Sequence, residues 1–337
     1  MDFDSAVVLA VIGAGRIGAV HARNVAARPD ARLAWLVDPA RPAAESLAGS
    51  LPGDRPRVAC DAAACLADPA VDAALIASPT PTHADLILAA VRAGKAVFCE
   101  KPVDLDLGRA RACADQVKAA GGRVMIGFNR RFDPTFAQIR ERVRAGVIGR
   151  VEQVVIVSRD PAPPPADYLP ASGGIFRDMS IHDLDMARFM LGPIVRVAGA
   201  GQNVIDPAIA AAGDRDGAML MLWAASGAIA CIVNSRRCAF GYDQRLEVFG
   251  AEGMLQAANQ APTSTITTLA GATDAGPRFE DFFIQRYEQA YRAELAAFIE
   301  TLRTGRPASP SMDDGVAALE LADAAATALA AGRTVAL

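Results

Sequence analysis

The chain has 337 residues, more than one typical core accommodates and about the length of two domains. Hydrophobic residues make up 52% and charged residues 21%, which is the composition of an ordinary globular protein and not of a disordered one. The net charge is −4 and the basic residues are scattered, so the sequence argues against a nucleic-acid or anionic-membrane partner.

The sequence also favours a cytoplasmic location. Its apolar runs are shorter than the ~20 residues that span a bilayer. The first residues include acids where a signal peptide would carry positive charge. The six cysteines form no Cys-x-x-Cys pair, and none of the three histidines is paired at ligand spacing. We therefore expect buried free thiols and no metal site.

The first chemically informative segment is a glycine-rich turn. An apolar run, Ala6 to Ile12, leads into GAGRIG, and a helical segment follows. In a dinucleotide-binding unit the three glycines allow a tight turn, close approach of a pyrophosphate, and close packing of helix on strand. The phosphate then lies at the helix N-terminus. We expect cofactor contacts from Gly13, Gly15, Arg16, Ile17 and Gly18.

The next strand ends in Asp38, twenty residues after Gly18. An acid at this place holds the ribose diol of NAD and would repel the 2′-phosphate of NADP. The sequence therefore favours NAD. Arg41, three residues later, could contact such a phosphate if its loop turned toward it, so NADP stays the alternative.

Strands and helices alternate as far as residue 126. This pattern predicts an α/β Rossmann domain over residues 1–126, with a doubly wound parallel sheet that binds its ligand beyond the carboxyl ends of the strands. Two strand ends carry polar residues. Cofactor contacts are expected there from Ser78, Thr80, His83, Glu100 and Lys101.

Lys101 also has a predicted chemical role. It directly follows an apolar strand, in Glu100-Lys101-Pro102, where substrate and nicotinamide have to meet. A cation there favours the alkoxide that forms before hydride leaves. A surface lysine before a proline turn is the alternative. His83 fits a helix-start residue equally well, and His21 is better explained as structural.

Strands predominate after residue 126, which predicts an α+β substrate domain over residues 127–337 with an open, mostly antiparallel sheet. Segments 282–302 and 312–330 look helical, and the C-terminal helix could pack back on the first domain.

The segment GGIFRDMSIHDLDMARF places Asp178 and His182 four residues apart at the start of a predicted helix, so both can share one face. Such a pair suits proton removal from a hydroxyl, and a solvated salt bridge is the alternative.

GAGRIG, EKP, GFNRRFDP and GGIFRDMSIHDLDMARF occur in this order over essentially the whole chain. Together they resemble the glucose-fructose oxidoreductase and inositol dehydrogenase family. The last two segments are most similar to those of bacterial myo-inositol 2-dehydrogenases. The resemblance implies a homotetramer formed through the sheet of the second domain, and NAD-dependent oxidation of a ring hydroxyl of a cyclic polyol, with myo-inositol giving 2-keto-myo-inositol.

The same resemblance implies roles for individual residues. It assigns the catalytic set to Lys101, Asp178 and His182, with His182 as the general base. The polyol pocket is implied to include, besides these three, Arg130, Asp160, Tyr242 and Tyr291.

One departure from the family bears on the substrate. Some relatives have a histidine where this chain has Ser158-Arg159-Asp160-Pro161. The preferred ring stereochemistry therefore stays open, and scyllo-inositol or an aldose is the alternative substrate. A nucleotide-binding sensor without turnover is the alternative from another class, because fold does not fix function.

Overall fold

The computed structural model describes residues 6–165 and 167–337. Residues 1–5, on which the expectation about a signal peptide rests, lie outside the described part. The chain divides into two compact units. The first comprises the residues up to Phe132 together with Gln289–Glu320, and the second comprises Asp133–Glu288 and Leu321–Leu337. The sequence placed a single boundary between residues 126 and 127, whereas the chain here crosses from one unit to the other three times.

The strands are numbered in chain order. They are β1 Val7–Ile12, β2 Ala31–Val37, β3 Arg57–Ala59, β4 Ala73–Ile76, β5 Ala96–Glu100, β6 Val124–Gly127, β7 Val151–Arg159, β8 Ile194–Gln202, β9 Gly217–Ala224, β10 Ile229–Ser235, β11 Asp243–Gly250, β12 Gly253–Ala257, β13 Thr267–Leu269, β14 Ala272–Ala275 and β15 Val335–Ala336.

The α-helices are numbered in the same way. They are α1 Arg16–Ala26, α2 Arg41–Ser50, α3 Ala63–Ala67, α4 His83–Arg92, α5 Leu107–Ala119, α6 Pro134–Arg144, α7 Leu169–Ser172, α8 Ile181–Leu191, α9 Pro207–Ala211, α10 Phe283–Arg286, α11 Glu288–Thr304 and α12 Met312–Ala331. Short 3₁₀ turns cover Thr80–Thr82 and Asn129–Phe132, and a π-helical turn covers Phe176–Ser180. Among the described residues no helix is both long and apolar enough to cross a membrane.

The first unit contains a six-stranded sheet in the order β3-β2-β1-β4-β5-β6, and every pair in it is parallel. This is the strand order of a doubly wound dinucleotide-binding fold, as the sequence predicted. The central strands are apolar along their length because helices cover both faces of such a sheet. Leu295 and Phe298 of α11 complete this core, and the ring of Phe298 lies 5.7 Å from that of Phe98 in β5.

The second unit contains a seven-stranded sheet in the order β12-β11-β7-β10-β9-β8-β15. Only the β7–β10 pair is parallel, so the prediction of an open, mostly antiparallel sheet is confirmed. Burial alternates along β9, where Leu220 and Leu222 are buried and Met219 and Met221 are exposed. Since successive side chains point to opposite faces, one face of this sheet is covered, and α8 packs there on β7 and β10.

Two helices differ from the predicted elements. The segment 282–302 is not one helix, because Tyr287 leaves helical geometry and separates α10 from α11. Helix α6 was not predicted, although Asp133-Pro134 is a strong helix start. The Asp133 carboxylate accepts from the amides of Thr135 and Phe136, and proline suits the first helical position.

Asp133 also forms a buried ion pair with Arg286, at 2.5 Å. We expect Asp133→Ala to lower the free energy of unfolding by about 3–5 kcal/mol, because the buried guanidinium loses its partner. Asp206→Ala is the matched control, since Asp206 caps α9 and also precedes a proline. That loss should be about 1 kcal/mol. Urea denaturation measures both, and equal losses would contradict a stabilising role for the ion pair.

Candidate functional site

The glycine-rich turn after β1 has no room for side chains at two of its glycines. A Cβ on Gly13, whose φ is +108°, would lie 2.5 Å from the carbonyl oxygen of Ala77. A Cβ on Gly18 would lie 1.9 Å from the carbonyl oxygen of Gly13. At Gly15, in contrast, a Cβ would meet nothing within 4 Å. The backbone at Gly15 therefore faces open space, as close approach of a pyrophosphate requires.

The N-terminus of α1 begins at this open side of the turn. Gly15 is its N-cap, no side chain caps it, and its first turn contains no acid. The first amides of a helix lack intrahelical acceptors and carry partial positive charge, so they suit a phosphate. Arg16, the first helical residue, is exposed beside them. The residues present thus fit the pyrophosphate of a dinucleotide.

Asp38 directly follows β2 and is hydrogen-bonded to the glycine-rich turn. One carboxylate oxygen accepts from the Ala14 amide at 2.8 Å, and the other accepts from the Ala40 amide at 2.8 Å. These bonds fix the carboxylate where a ribose diol would be held. Arg41 forms an ion pair with Glu45 at 2.8 Å on the exposed face of α2. The Arg41 guanidinium therefore has a carboxylate partner of its own, which is consistent with NAD as the cofactor.

His83 connects the strand ends that follow β4 and β5. Its ring is buried, with Nδ1 2.7 Å from the carbonyl oxygen of Pro102 and Nε2 2.8 Å from that of Ser78. Burial lowers the pKa of His83, whereas the two carbonyl oxygens, which can only accept hydrogen bonds, favour the form with a proton on both ring nitrogens. The hydroxyl oxygens of Ser78 and Thr82 are 2.6 Å apart in the same loop. Direct cofactor contacts from Ser78, Thr80 and His83 stay predictions.

Glu100 is the last residue of β5, and Lys101 follows it. Glu100 is buried and its carboxylate lies 2.7 Å from Nε2 of His21, which is fully buried in α1. His21 therefore joins the first helix of the unit to the strand end that carries Lys101. Lys101 itself is half-buried. A cofactor contact from Glu100 stays a prediction, and the partner found for its carboxylate here is a histidine.

The segment that carries Asp178 and His182 differs from the predicted helix. Asp178 lies in the π-helical turn, and His182 lies in the first turn of α8. Hydrogen bonds in a π turn join residues five apart instead of four. The regular helical spacing from which a shared face was predicted for Asp178 and His182 is therefore absent here. Such turns are frequent at functional sites. The turn thus adds a local signal for function that side-chain spacing alone did not give.

Arg236 holds the Asp178 carboxylate. Its side chain is 1% exposed, and its guanidinium lies 3.3 Å from one oxygen of Asp178 and 3.1 Å from Asp214. The hydroxyl of Tyr168 donates to the other oxygen of Asp178 at 3.1 Å. A buried guanidinium between two carboxylates fixes the position of both. Arg236 was not among the predicted site residues, although its place directly after the apolar strand β10 was an available signal.

A buried polar network fixes the start of α8 on the sheet. The Asp183 carboxylate, next to His182, accepts from the Ser158 hydroxyl and the Asn234 amide, both at 2.7 Å. The Ser180 hydroxyl donates to the side-chain carbonyl oxygen of Asn234 at 2.6 Å. Each of these polar groups is buried, so each needs such a partner. The signal in the sequence was a polar residue at a buried position of an apolar strand, at Ser158 in β7 and Asn234 in β10.

The four residues implied to line a polyol pocket lie two in each unit. In the first unit, Arg130 is buried in a 3₁₀ turn, and the ring of Tyr291 lies 5.7 Å from that of His21. In the second, Asp160 follows β7, and Tyr242 is buried with its ring 6.1 Å from that of Tyr287. Contacts of these four with a substrate stay predictions.

Comparison with known proteins identifies the family. Residues 7–128 match the model of an oxidoreductase family with an NAD-binding Rossmann fold, and residues 136–256 match the GFO/IDH/MocA C-terminal domain. An inositol 2-dehydrogenase of Rhizobium meliloti (strain 1021) is 49% identical over 328 residues, which are 97% of this chain and 98% of that protein. The chain belongs to this oxidoreductase family. The predicted resemblance and the NAD-binding fold are thereby confirmed.

Solved structures of family members have the same fold. A myo-inositol dehydrogenase from Corynebacterium glutamicum superimposes with a TM-score of 0.95 at 47% identity, covering 98% of this chain and 99% of that one. A scyllo-inositol dehydrogenase from Lactobacillus casei, with bound NAD(H) and scyllo-inositol, gives a TM-score of 0.91 at 27% identity and covers 98% of this chain and 99% of that one. Both substrate types therefore occur on this fold.

Gly15 provides a test of the phosphate cradle. Gly15→Ala should lower the free energy of unfolding by no more than about 1 kcal/mol, because the new Cβ meets open space at an ordinary φ of −69° and only the preference of an N-cap for glycine over alanine is lost. It should raise the Kd of NAD at least about tenfold, or about 1.4 kcal/mol, because the methyl group occupies the path of the pyrophosphate. Calorimetric titration measures the Kd. Gly49→Ala, in α2 and equally open, is the control, and an unchanged Kd in Gly15→Ala would contradict the assignment.

Proposed function

We propose that the protein oxidises a ring hydroxyl of a cyclic polyol, with myo-inositol giving 2-keto-myo-inositol and NAD accepting the hydride. The observation that carries this proposal is the nearly full-length similarity to inositol 2-dehydrogenases, at 49% and 42% identity. The open backbone at Gly15 and the fixed carboxylate of Asp38 support NAD as the cofactor.

In the proposed mechanism, His182 takes the proton of the reacting hydroxyl. Asp178 orients the imidazole and stabilises its charged form, while Arg236 and Tyr168 hold the Asp178 carboxylate. Lys101 stabilises the negative oxygen that develops on the substrate. Bound NAD supplies the hydride acceptor. A fixed α8 is essential to this scheme, because a general base acts only within hydrogen-bond reach of its proton.

Removal of the His182 or the Lys101 side chain should slow turnover and leave NAD binding nearly unchanged. We expect His182→Ala to lower kcat about 10²–10⁴-fold, since general-base help is lost. Lys101→Ala should lower kcat about 10²–10³-fold, because the developing oxyanion loses its cation. Both variants should keep a Kd for NAD within about threefold of the native value. Lys118→Ala, an exposed lysine of α5, is the control. Near-normal turnover of His182→Ala across the pH range would refute the base assignment.

The substrate assignment is tested by initial rates of NADH formation. Myo-inositol, scyllo-inositol and glucose are compared at equal concentration, first with NAD and then with NADP. The proposal expects the highest kcat/KM with myo-inositol and NAD. A preference for scyllo-inositol is the second candidate, because a scyllo-inositol dehydrogenase shares this fold and the segment from Ser158 to Pro161 departs from some relatives. Measurable NAD affinity without turnover of any polyol would favour the sensor.

We also propose that the chain forms a homotetramer through the uncovered face of the second sheet. Four large apolar side chains on this face are 39–59% exposed. The strand register places all four on the same face: Met219 and Met221 lie on β9, Phe249 lies opposite Met254 on the paired strands β11 and β12, and β10 and β7 separate the two pairs. Surfaces of this kind on a soluble domain mark protein interfaces. The four residues are Met219, Met221, Phe249 and Met254.

The double substitution Met219→Glu and Met221→Glu should dissociate the tetramer, because both carboxylates would be buried unpaired in the interface. Light scattering coupled to gel filtration measures the molecular mass. Val204→Glu, which charges an exposed valine outside the sheet, should leave the mass unchanged. A native protein that elutes as a monomer, or a double variant that stays tetrameric, would disprove this interface.

The cytoplasm is the compartment that we propose for the reaction. All six cysteines are free thiols. Burial raises the pKa of Cys65 and of Cys113, each to about 11, so these two thiols stay protonated and unreactive. Free thiols persist where glutathione keeps them reduced, and NAD is available there.

A further inference from the structure

Three ionisable side chains meet in the core of the first unit. They are His21 of α1, Glu100 at the end of β5 and Glu294 of α11, and one polar atom from each lies within 4.8 Å of the others. Their exposures are 0%, 9% and 0%. Three separate elements thus converge on one buried point, and only His21 and Glu100 are joined there by a hydrogen bond, of 2.7 Å, in the described part of the chain.

The surroundings of this cluster are aromatic and tightly packed. The His21 ring lies edge-on to Phe98, at 5.1 Å, and to Tyr291, at 5.7 Å. A Cβ on Gly127 would lie 3.2 Å from the Glu100 carboxyl group. Further ionisable groups near the cluster are Lys101, next to Glu100 in the chain, the hydroxyl of Tyr291, and His83, whose pKa is lowered, chiefly by burial.

Two ionised carboxylates beside one histidine would leave at least one net negative charge in this core. A buried unpaired charge costs several kcal/mol, so such a group gains a proton or a cation. Burial, and then the charge of Glu100, raise the pKa of Glu294 well above its ordinary value. Neither oxygen of Glu294 has a hydrogen-bond partner among the described residues. If Glu294 were ionised, its carboxylate would have no hydrogen-bond donor among the described residues to stabilise the charge.

The short distance inside the cluster favours a proton over a metal ion. Tetrahedral zinc with nitrogen and oxygen ligands at about 2.0–2.2 Å holds neighbouring ligand atoms about 3.3 Å apart. His21 Nε2 and Glu100 Oε1 are only 2.7 Å apart, which is an ordinary charge-assisted hydrogen bond. His21 thus donates to an ionised Glu100, and the remaining carboxyl group is neutral.

We propose that Glu294 is protonated at neutral pH and that its neutral carboxyl group, packed within 4.8 Å of Glu100, leaves Glu100 as the ionised partner of His21 at the end of β5, so that it positions the adjoining Lys101. Glu294 is then a positioning residue, which acts through Glu100. The protonation state of Glu294 is inferred from the geometry of the cluster alone, whereas the effect on Lys101 rests on the proposed dehydrogenase function. The two parts are tested by separate measurements.

The first measurement is unfolding by urea from pH 5 to pH 9, in the native protein and in Glu294→Gln, which keeps the shape and cannot ionise. A raised pKa means that the unfolded state binds fewer protons than the folded state, so the carboxyl group weakens the native protein as pH rises. The unfolding equilibrium constant of the native protein, divided by that of the variant, should rise up to about tenfold per pH unit. Glu300→Gln, exposed on the same helix, should track the native protein.

Three results would overturn the protonation state. The first is a pH-independent ratio of the two unfolding constants. The second is an infrared spectrum at pH 7 in which native protein and Glu294→Gln show the same protonated-carboxyl band. The third is a stoichiometric metal ion, found by elemental analysis of the native protein and lost in the variant.

The second measurement addresses Lys101. With myo-inositol and NAD at pH 7, Glu294→Gln should keep native kcat, whereas Glu294→Asp should lower kcat about tenfold or more with the Kd of NAD unchanged. The shorter acid withdraws the neutral carboxyl group from Glu100, and small misplacements of reacting groups cost about this much. Equal kcat in both variants would overturn the positioning role without touching the protonation result. Absence of turnover in the native protein would refute the dehydrogenase proposal instead.

Discussion

The closeness of the backbone at the β1–α1 turn is the constraint on which the nucleotide site depends. Gly13 and Gly18 bring strand, turn and helix so near to one another that a single methyl group at either position meets a carbonyl oxygen. This contact directs the N-terminus of α1 outward at Gly15. It also brings the Ala14 amide within reach of Asp38, so the phosphate end and the ribose end of the cofactor site are fixed by one turn.

Histidines connect the polar loops of the same unit. His83 lies between the loops that follow β4 and β5, and His21 joins α1 to the end of β5. In both cases a buried ring contacts a residue next to Lys101, namely Pro102 or Glu100. In the second unit a buried arginine, Arg236, has the comparable task of fixing Asp178. Lys101 and Asp178, two of the three predicted catalytic residues, thus each lie beside buried polar groups that the chemistry itself does not require.

Much of this could be predicted from sequence because local patterns determine it. The Rossmann order follows from alternating elements, and Asp38 follows from its place at a strand end. The π turn at Asp178 was not predictable, since nothing in the residues Phe176–Ser180 distinguishes a π turn from a turn of α-helix. Arg236 and Glu294 were missed for a related reason. Each acts on a residue far away in the chain, and a single sequence carries no record of which distant side chain will be its neighbour.

The return of residues 289–320 to the first unit makes that unit discontinuous. Its core includes Leu295, Phe298, Ile299 and Leu302, which are synthesised after the whole of the second sheet except β15. The parallel sheet can therefore form its strands early, but it cannot close its hydrophobic core until synthesis is nearly finished. Long-range contacts of this kind slow folding and leave apolar surface exposed meanwhile. A fragment that ends at Phe132 would lack this part of the core, so the nucleotide-binding unit is not a portable N-terminal module.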